Sequence, residues 1–155
     1  MVRQFFYSAF ADLYWRAMMK SGDATLAAIA AKSEKESAYH LRHSSEWIVR
    51  LGDGTEESHA RAQAAIDDLW AFTGEMFEVD GGERALIDAG IAVDPASLRP
   101  QWLKTISGVV GEATLALPKN DWMQEGGRIG HHSEHLGHLL SELQSLQRSF
   151  PGATW

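Results

Sequence analysis

The sequence predicts an all-α chain, and three observations carry that expectation. All four prolines lie at or after Pro95, apolar residues recur at helical spacing along most of the chain, and no glycine or proline interrupts the stretch between Gly22 and Gly52. With 155 residues, of which 45% are hydrophobic, there is material for one domain, 1–155, with a substantial core.

The first helix is expected from about Val2 to Lys20. Phe5, Phe6, Phe10, Leu13, Tyr14, Trp15 and Met18 point in nearly every direction around it, so it wants neighbours on all sides, a partner chain included. Arg3, Gln4, Ser8 and Asp12 interrupt its apolar run well short of the ~18 residues a membrane span needs, which excludes a signal peptide or membrane anchor here.

Asp23 is a good N-cap for a second helix that runs to Gly52, a length that suggests a bundle. At 100° per residue, Leu26, Ile29, Ala30, Leu41, Trp47, Ile48 and Leu51 make one stripe, expected to be buried, with Ser33, Ser37, His40 and Ser44 at its polar centre. Gly52-Asp53-Gly54 turns the chain back. Thr55 caps a third helix with Glu56 and Glu57 in its first turn, and His59, Ile66, Leu69, Trp70, Thr73, Met76 and Phe77 form its inner face up to Asp80-Gly81-Gly82.

A short helix near Glu83 to Ala89 and an ordered connector from Gly90 to Pro100 follow. Trp102, Ile106, Val109, Val110, Ala113 and Leu117 then mark another helix ending at Pro118, and Lys119 to Gly130 reads as loop. The last helix, near His131 to Ser149, aligns Leu136, Leu139, Leu143, Leu146 and Phe150, with His132 and His135 continuing that face.

Composition excludes several functions. Lys and Arg number 14 against 21 Asp and Glu, a net charge of −7 that argues against a nucleic-acid partner. No cysteine is present, which removes disulfides, thiolate metal sites and thiol catalysis and is compatible with the cytoplasm. Gly81-Gly82 and Gly126-Gly127 lack phosphate-loop spacing, and no Ser/His/Asp nucleophile arrangement is visible.

The candidate ligands are few. Glu36 and His40 stand one helical turn apart, a spacing at which a carboxylate and an imidazole can meet one metal ion; the bland alternative is a buried histidine bonded to a neighbouring helix. Di-iron bundles place Glu-x-x-His on two helices and a further Glu on two others, so one pair cannot complete a site. Glu56-x-x-His59 has the formal spacing, but the helix dipole explains the acid, and His59 is expected to pack or cap. His131, His132, Glu134, His135 and His138 form the densest cluster, whose i, i+3 and i, i+4 pairs could chelate a divalent ion; with no second helix to complete the shell, it is read as a polar interface or a hydrogen-bonded helix entry. Trp47, Trp70 and Trp102 are expected in the core, and Trp155, in a tail that would otherwise fray, as a docking residue.

The run from Ala31 to Arg42, then Trp47, Arg50-Leu51-Gly52-Asp53-Gly54-Thr55-Glu56-Glu57-Ser58-His59, Thr73-Gly74-Glu75-Met76-Phe77, Ala89 to Asp94, Glu112 to Leu115, and His132-x-Glu134-His135-Leu136-Gly137 resembles the C subunits of bacterial ring-1,2-phenylacetyl-CoA epoxidases. The resemblance covers essentially the whole chain. It implies a ferritin-like helical bundle of which this chain carries the C-terminal part, the family's additional N-terminal helices being absent from it. It also implies a structural, non-catalytic role beside an A subunit that holds the di-iron site and binds the acyl-CoA, with NADPH electrons arriving through a separate reductase. Glu36 and His40 then look like the remnant of a ligand pair, with no cofactor expected in this chain. The expected partners are the A subunit and further copies of this chain through the apolar first helix. The alternative is a homodimeric metalloprotein in which two chains each contribute Glu36 and His40.

Overall fold

A computed structural model describes residues 1–119 and 122–154. Among them are six α-helices, α1 (Val2–Met18), α2 (Ala24–Gly52), α3 (Glu56–Trp70), α4 (Gly81–Asp88), α5 (Arg99–Glu112) and α6 (His135–Ser149), with short 3-10 turns at Gly74–Phe77, Pro95–Leu98 and Gly127–Ile129, and no strand. The chain forms two compact units, Met1–Met123 and Gln124–Trp155.

In the first unit α1 and α2 pack along one another as a hairpin, and α3 and α5 add to the cover of α1. The cover of α1 within its own chain is partial: Val2, Phe5, Phe6, Ser8, Ala9, Ala11, Asp12 and Met18 are buried, while Phe10, Leu13, Tyr14 and Trp15 are only half-buried. The turn between α1 and α2 is pinned from outside, since Gly22 N–H donates to the Gly90 carbonyl at 2.8 Å and the Ser21 hydroxyl to that of Ile91 at 2.6 Å. Both caps expected from the sequence form: the Asp23 carboxylate accepts from Thr25 and Leu26 N–H, and Thr55 exchanges bonds with Ser58 in a capping box.

The core centres on Trp102, 2% exposed, whose indole N–H donates to the Phe6 carbonyl at 2.9 Å. Trp70 stacks on it at 5.8 Å between ring centres and Phe77 meets it edge-on at 5.2 Å. Trp70 and Trp102 are thus the core tryptophans the sequence predicts.

Four helix boundaries differ from expectation. α3 stops at Trp70, not near Phe77, because Phe72 and Thr73 tighten to i→i−3 bonds and the Thr73 hydroxyl donates to the Trp70 carbonyl at 2.8 Å. That stop releases Phe77 to turn into the core. α5 ends at Glu112, five residues before Leu117, in a Schellman closure: Leu115 N–H bonds to the Val110 carbonyl and Thr114 N–H to that of Gly111, with Thr114 itself left-handed at φ 58°. α6 begins at His135, so His131 and His132 precede the helix and share no helical turn with it. Gly81 and Gly82, read as a stop, instead open α4 behind an Asp80–Glu83 capping box.

Candidate functional site

α2 buries only part of the stripe expected for it, its small residues with Ile48, while Leu41 and Leu51 pack partly against the core. Ala30, Ser37, Ser44, Ile48 and Gly52 are buried, whereas Glu36, Tyr39, His40, His43 and Trp47 are exposed, with Trp47 at 39% and Leu26 and Ile29 also outward. At 3.6 residues per turn the outward stripe lies about 100° around the helix from the inward one. The expected placement of His40 and Trp47 in the buried stripe is therefore corrected. The reason is steric: small side chains let two helix axes approach closely, so α2 packs through Ala30, Ser37 and Ser44, with Ile48 in the core and Leu41, Val49 and Leu51 partly buried against it, and leaves Ile29, Tyr39 and Trp47 outside.

The outward stripe is organised. Tyr39 stacks on His43 at 6.1 Å, His43 meets Trp47 edge-on at 6.4 Å, and the guanidinium groups of Arg42 and Arg50 lie over Tyr39 and Trp47, each at 5.6 Å. Glu36 and His40 sit within it on the same side of α2, facing away from the core. Among the described residues no group of three or more His, Asp or Glu side chains is placed to hold a metal ion. Glu36 and His40 alone supply two donors, fewer than a carboxylate and imidazole metal site in a bundle requires.

Between α1 and α2 the cation is supplied by the protein. Arg16 holds Asp12 through two bonds, Nε at 2.9 Å and Nη2 at 3.0 Å, and reaches Glu34 on α2 at 3.0 Å. Asp12 is buried and Arg16 half-exposed. The Asp12 hydrogen bond is the strongest influence on the guanidinium and raises its pKa above the ordinary value, so the charge between the two carboxylates is permanent. The sequence reading missed this triad. The Asp12–Arg16 pair at i, i+4 was the signal available, while Glu34 arrives only through the hairpin.

His59 has a structural task. Its Nδ1–H donates to the Gly52 carbonyl at 2.7 Å, and the Thr114 hydroxyl approaches the same oxygen at 3.4 Å, so the C-terminus of α2 is closed by α3 and by the end of α5. This is the capping role expected for it. Gln63 clamps the same region, accepting from Ala116 N–H and donating to its carbonyl, both at 2.9 Å. In the second unit His132, Glu134 and His135 are exposed at the entrance to α6, and Trp155 lies outside the described residues.

No described helix is long and apolar enough to cross a membrane. The family model for phenylacetic acid catabolic proteins matches residues 1–155. The C subunit of the 1,2-phenylacetyl-CoA epoxidase of Escherichia coli (strain K12) is 46% identical over 153 residues, covering 99% of this chain and 62% of that protein. The chain thus spans about three-fifths of the length of this relative.

Proposed function

Since the chain belongs to the phenylacetic acid catabolic protein family, we propose that it is a structural, non-catalytic subunit of a multicomponent di-iron monooxygenase that epoxidises phenylacetyl-CoA in phenylacetate breakdown. The observation that carries this reading is the match along the whole chain to a family that includes a C subunit of such an epoxidase. Within this reading the carboxylates that face each other between α1 and α2 are bridged by Arg16, and the Glu36–His40 pair faces outward.

In this role the chain works in the cytoplasm beside an A subunit that carries the iron and binds the acyl-CoA, with a separate reductase supplying electrons from NADPH. Its ferritin-like part-bundle presents the outward stripe of α2 to other helices and holds the catalytic bundle in a competent shape. Co-expression with the A subunit of the same source tests this: a stoichiometric complex is the expected result, and two chains that elute separately would overturn it.

The exposure of Glu36 and His40 favours one second reading. Two copies of the chain meeting across the α2 stripe would bring two Glu/His pairs together, the arrangement a homodimeric metal site needs. Elemental analysis of tag-free protein combined with light scattering separates the two. Metal at one or more ions per chain in a dimer, lost in His40→Ala, would replace the structural reading.

A further inference from the structure

A cleft of about 450 Å³ opens at the edge of the aromatic core, within the ~300–1,000 Å³ range of small-molecule sites. Four segments wall it: the end of α3 with Trp70 and Thr73, the 3-10 turn with Gly74 and Phe77, the first turns of α5 with Arg99, Trp102 and Leu103, and the chain beyond α5 with Pro118 and Met123. All of them belong to the first unit. A Cβ at Gly74 would stand 3.0 Å from the Met123 Cβ and Cγ, so glycine here lets Met123 close the far side.

Phe77 and Trp102 are buried and form the floor, while Trp70, stacked on Trp102, is half-buried and presents the ring that a ligand can reach. The remaining wall is aliphatic except at two places. The Thr73 hydroxyl is already committed to the Trp70 carbonyl, which leaves the exposed Arg99 as the charged group, and no carboxylate lines the cleft.

This lining selects its ligand by two features. A flat ring gains most from the indole of Trp70, through offset or edge-on contact that an aliphatic chain cannot make. The guanidinium of Arg99 matches a carboxylate in plane and in charge, and it would repel a cation.

We propose that the cleft binds a flat aromatic carboxylate, with its ring against Trp70 and its carboxylate on Arg99. The cleft is built from the first unit alone, so the inference is independent of the subunit reading above.

The test is titration calorimetry of the full chain with 2-naphthoate, accompanied by melting curves. The expected result is saturable binding and a melting temperature that rises with ligand. Affinity should be about tenfold weaker for the neutral 2-naphthamide and for Arg99→Gln with the acid, and Leu103→Trp, which fills the mouth, should abolish binding. Arg99 and Leu103 are exposed, so both variants without ligand should melt with the parent, which separates loss of the site from loss of the fold. No saturable binding by the parent, or binding that both substitutions leave unchanged, would overturn the site. Equal affinity for the acid and the amide would overturn its assignment to an anion.

Discussion

On its inner side α2 carries Ala30, Ser37, Ser44 and Ile48, mostly small residues that α1 and the core can approach closely; about 100° away, Ile29, Tyr39, His43 and Trp47 stand in solvent. Ile48, with Leu41, Val49 and Leu51 beside it, is the bulk that α2 does turn to the core. The contrast teaches that residue size at this helix contact follows axis separation, while the bulky residues on the other side form an exposed stripe that the first unit does not use for packing. The two sides should therefore answer mutation in opposite ways: the inner side through stability, the outer side through association.

The largest expected effect is at the core the inner side faces. Trp102→Ala removes a buried indole, its bond to the Phe6 carbonyl and its contacts with Trp70 and Phe77, and is expected to cost about 3–5 kcal/mol in urea unfolding. A loss below about 1 kcal/mol would mean that the aromatic cluster does not hold the first unit together. Gly52→Ala comes next. Its new methyl group would overlap the Ala113 carbonyl and side chain where α2 meets the end of α5, and the same carbonyl of residue 52 must still accept from His59. We expect about 3 kcal/mol and a helix end that exchanges its amide protons faster.

Ser44→Leu tests the size argument itself. Ser44 is fully buried with its hydroxyl returned to the His40 carbonyl at 2.7 Å, so it needs no partner from another helix and serves as a spacer. If the close approach matters, the larger apolar residue destabilises by about 2 kcal/mol despite its hydrophobicity. A stabilised melt would show that α2 can pack through either side and would dissolve the contrast. Asp12→Asn is smaller, at about 1 kcal/mol, because Arg16 is half-exposed and solvent screens much of the pair.

What the sequence made legible follows the range of the physics. Asp23, Thr55 and the Gly52-Asp53-Gly54 turn announced α2 and α3 because capping is local chemistry, and His59 could be read as a capping residue because it lies one hairpin from the carbonyl it closes. The end of α5 was hidden because a threonine, not a glycine, takes the left-handed position. α3 was overextended because Thr73 stops it through its side chain without a proline to mark the place. Of the candidate site, the Glu36–His40 spacing was visible and their exposure was not, since Leu26, Ile29 and Trp47 drew the stripe toward them, although Ser37 and Ser44 were read within it and are buried. The Asp12–Arg16–Glu34 triad needed the hairpin itself.

The outer side supplies the smallest effect and the sharpest use of the comparison. Glu36→Ala, His40→Ala and Trp47→Ala remove no buried contact, and each is expected to leave the unfolding free energy within about 0.5 kcal/mol of the parent. Trp47 still meets His43 edge-on and lies under Arg50, so of the three it should show the largest residual loss. If stability stays flat while binding to a partner subunit falls, the stripe is an interface whose residues were chosen for contacts outside this chain. A drop of about 2 kcal/mol or more at Trp47 would instead show that the stripe supports the isolated first unit, and the division of α2 into a packing side and a docking side would fail.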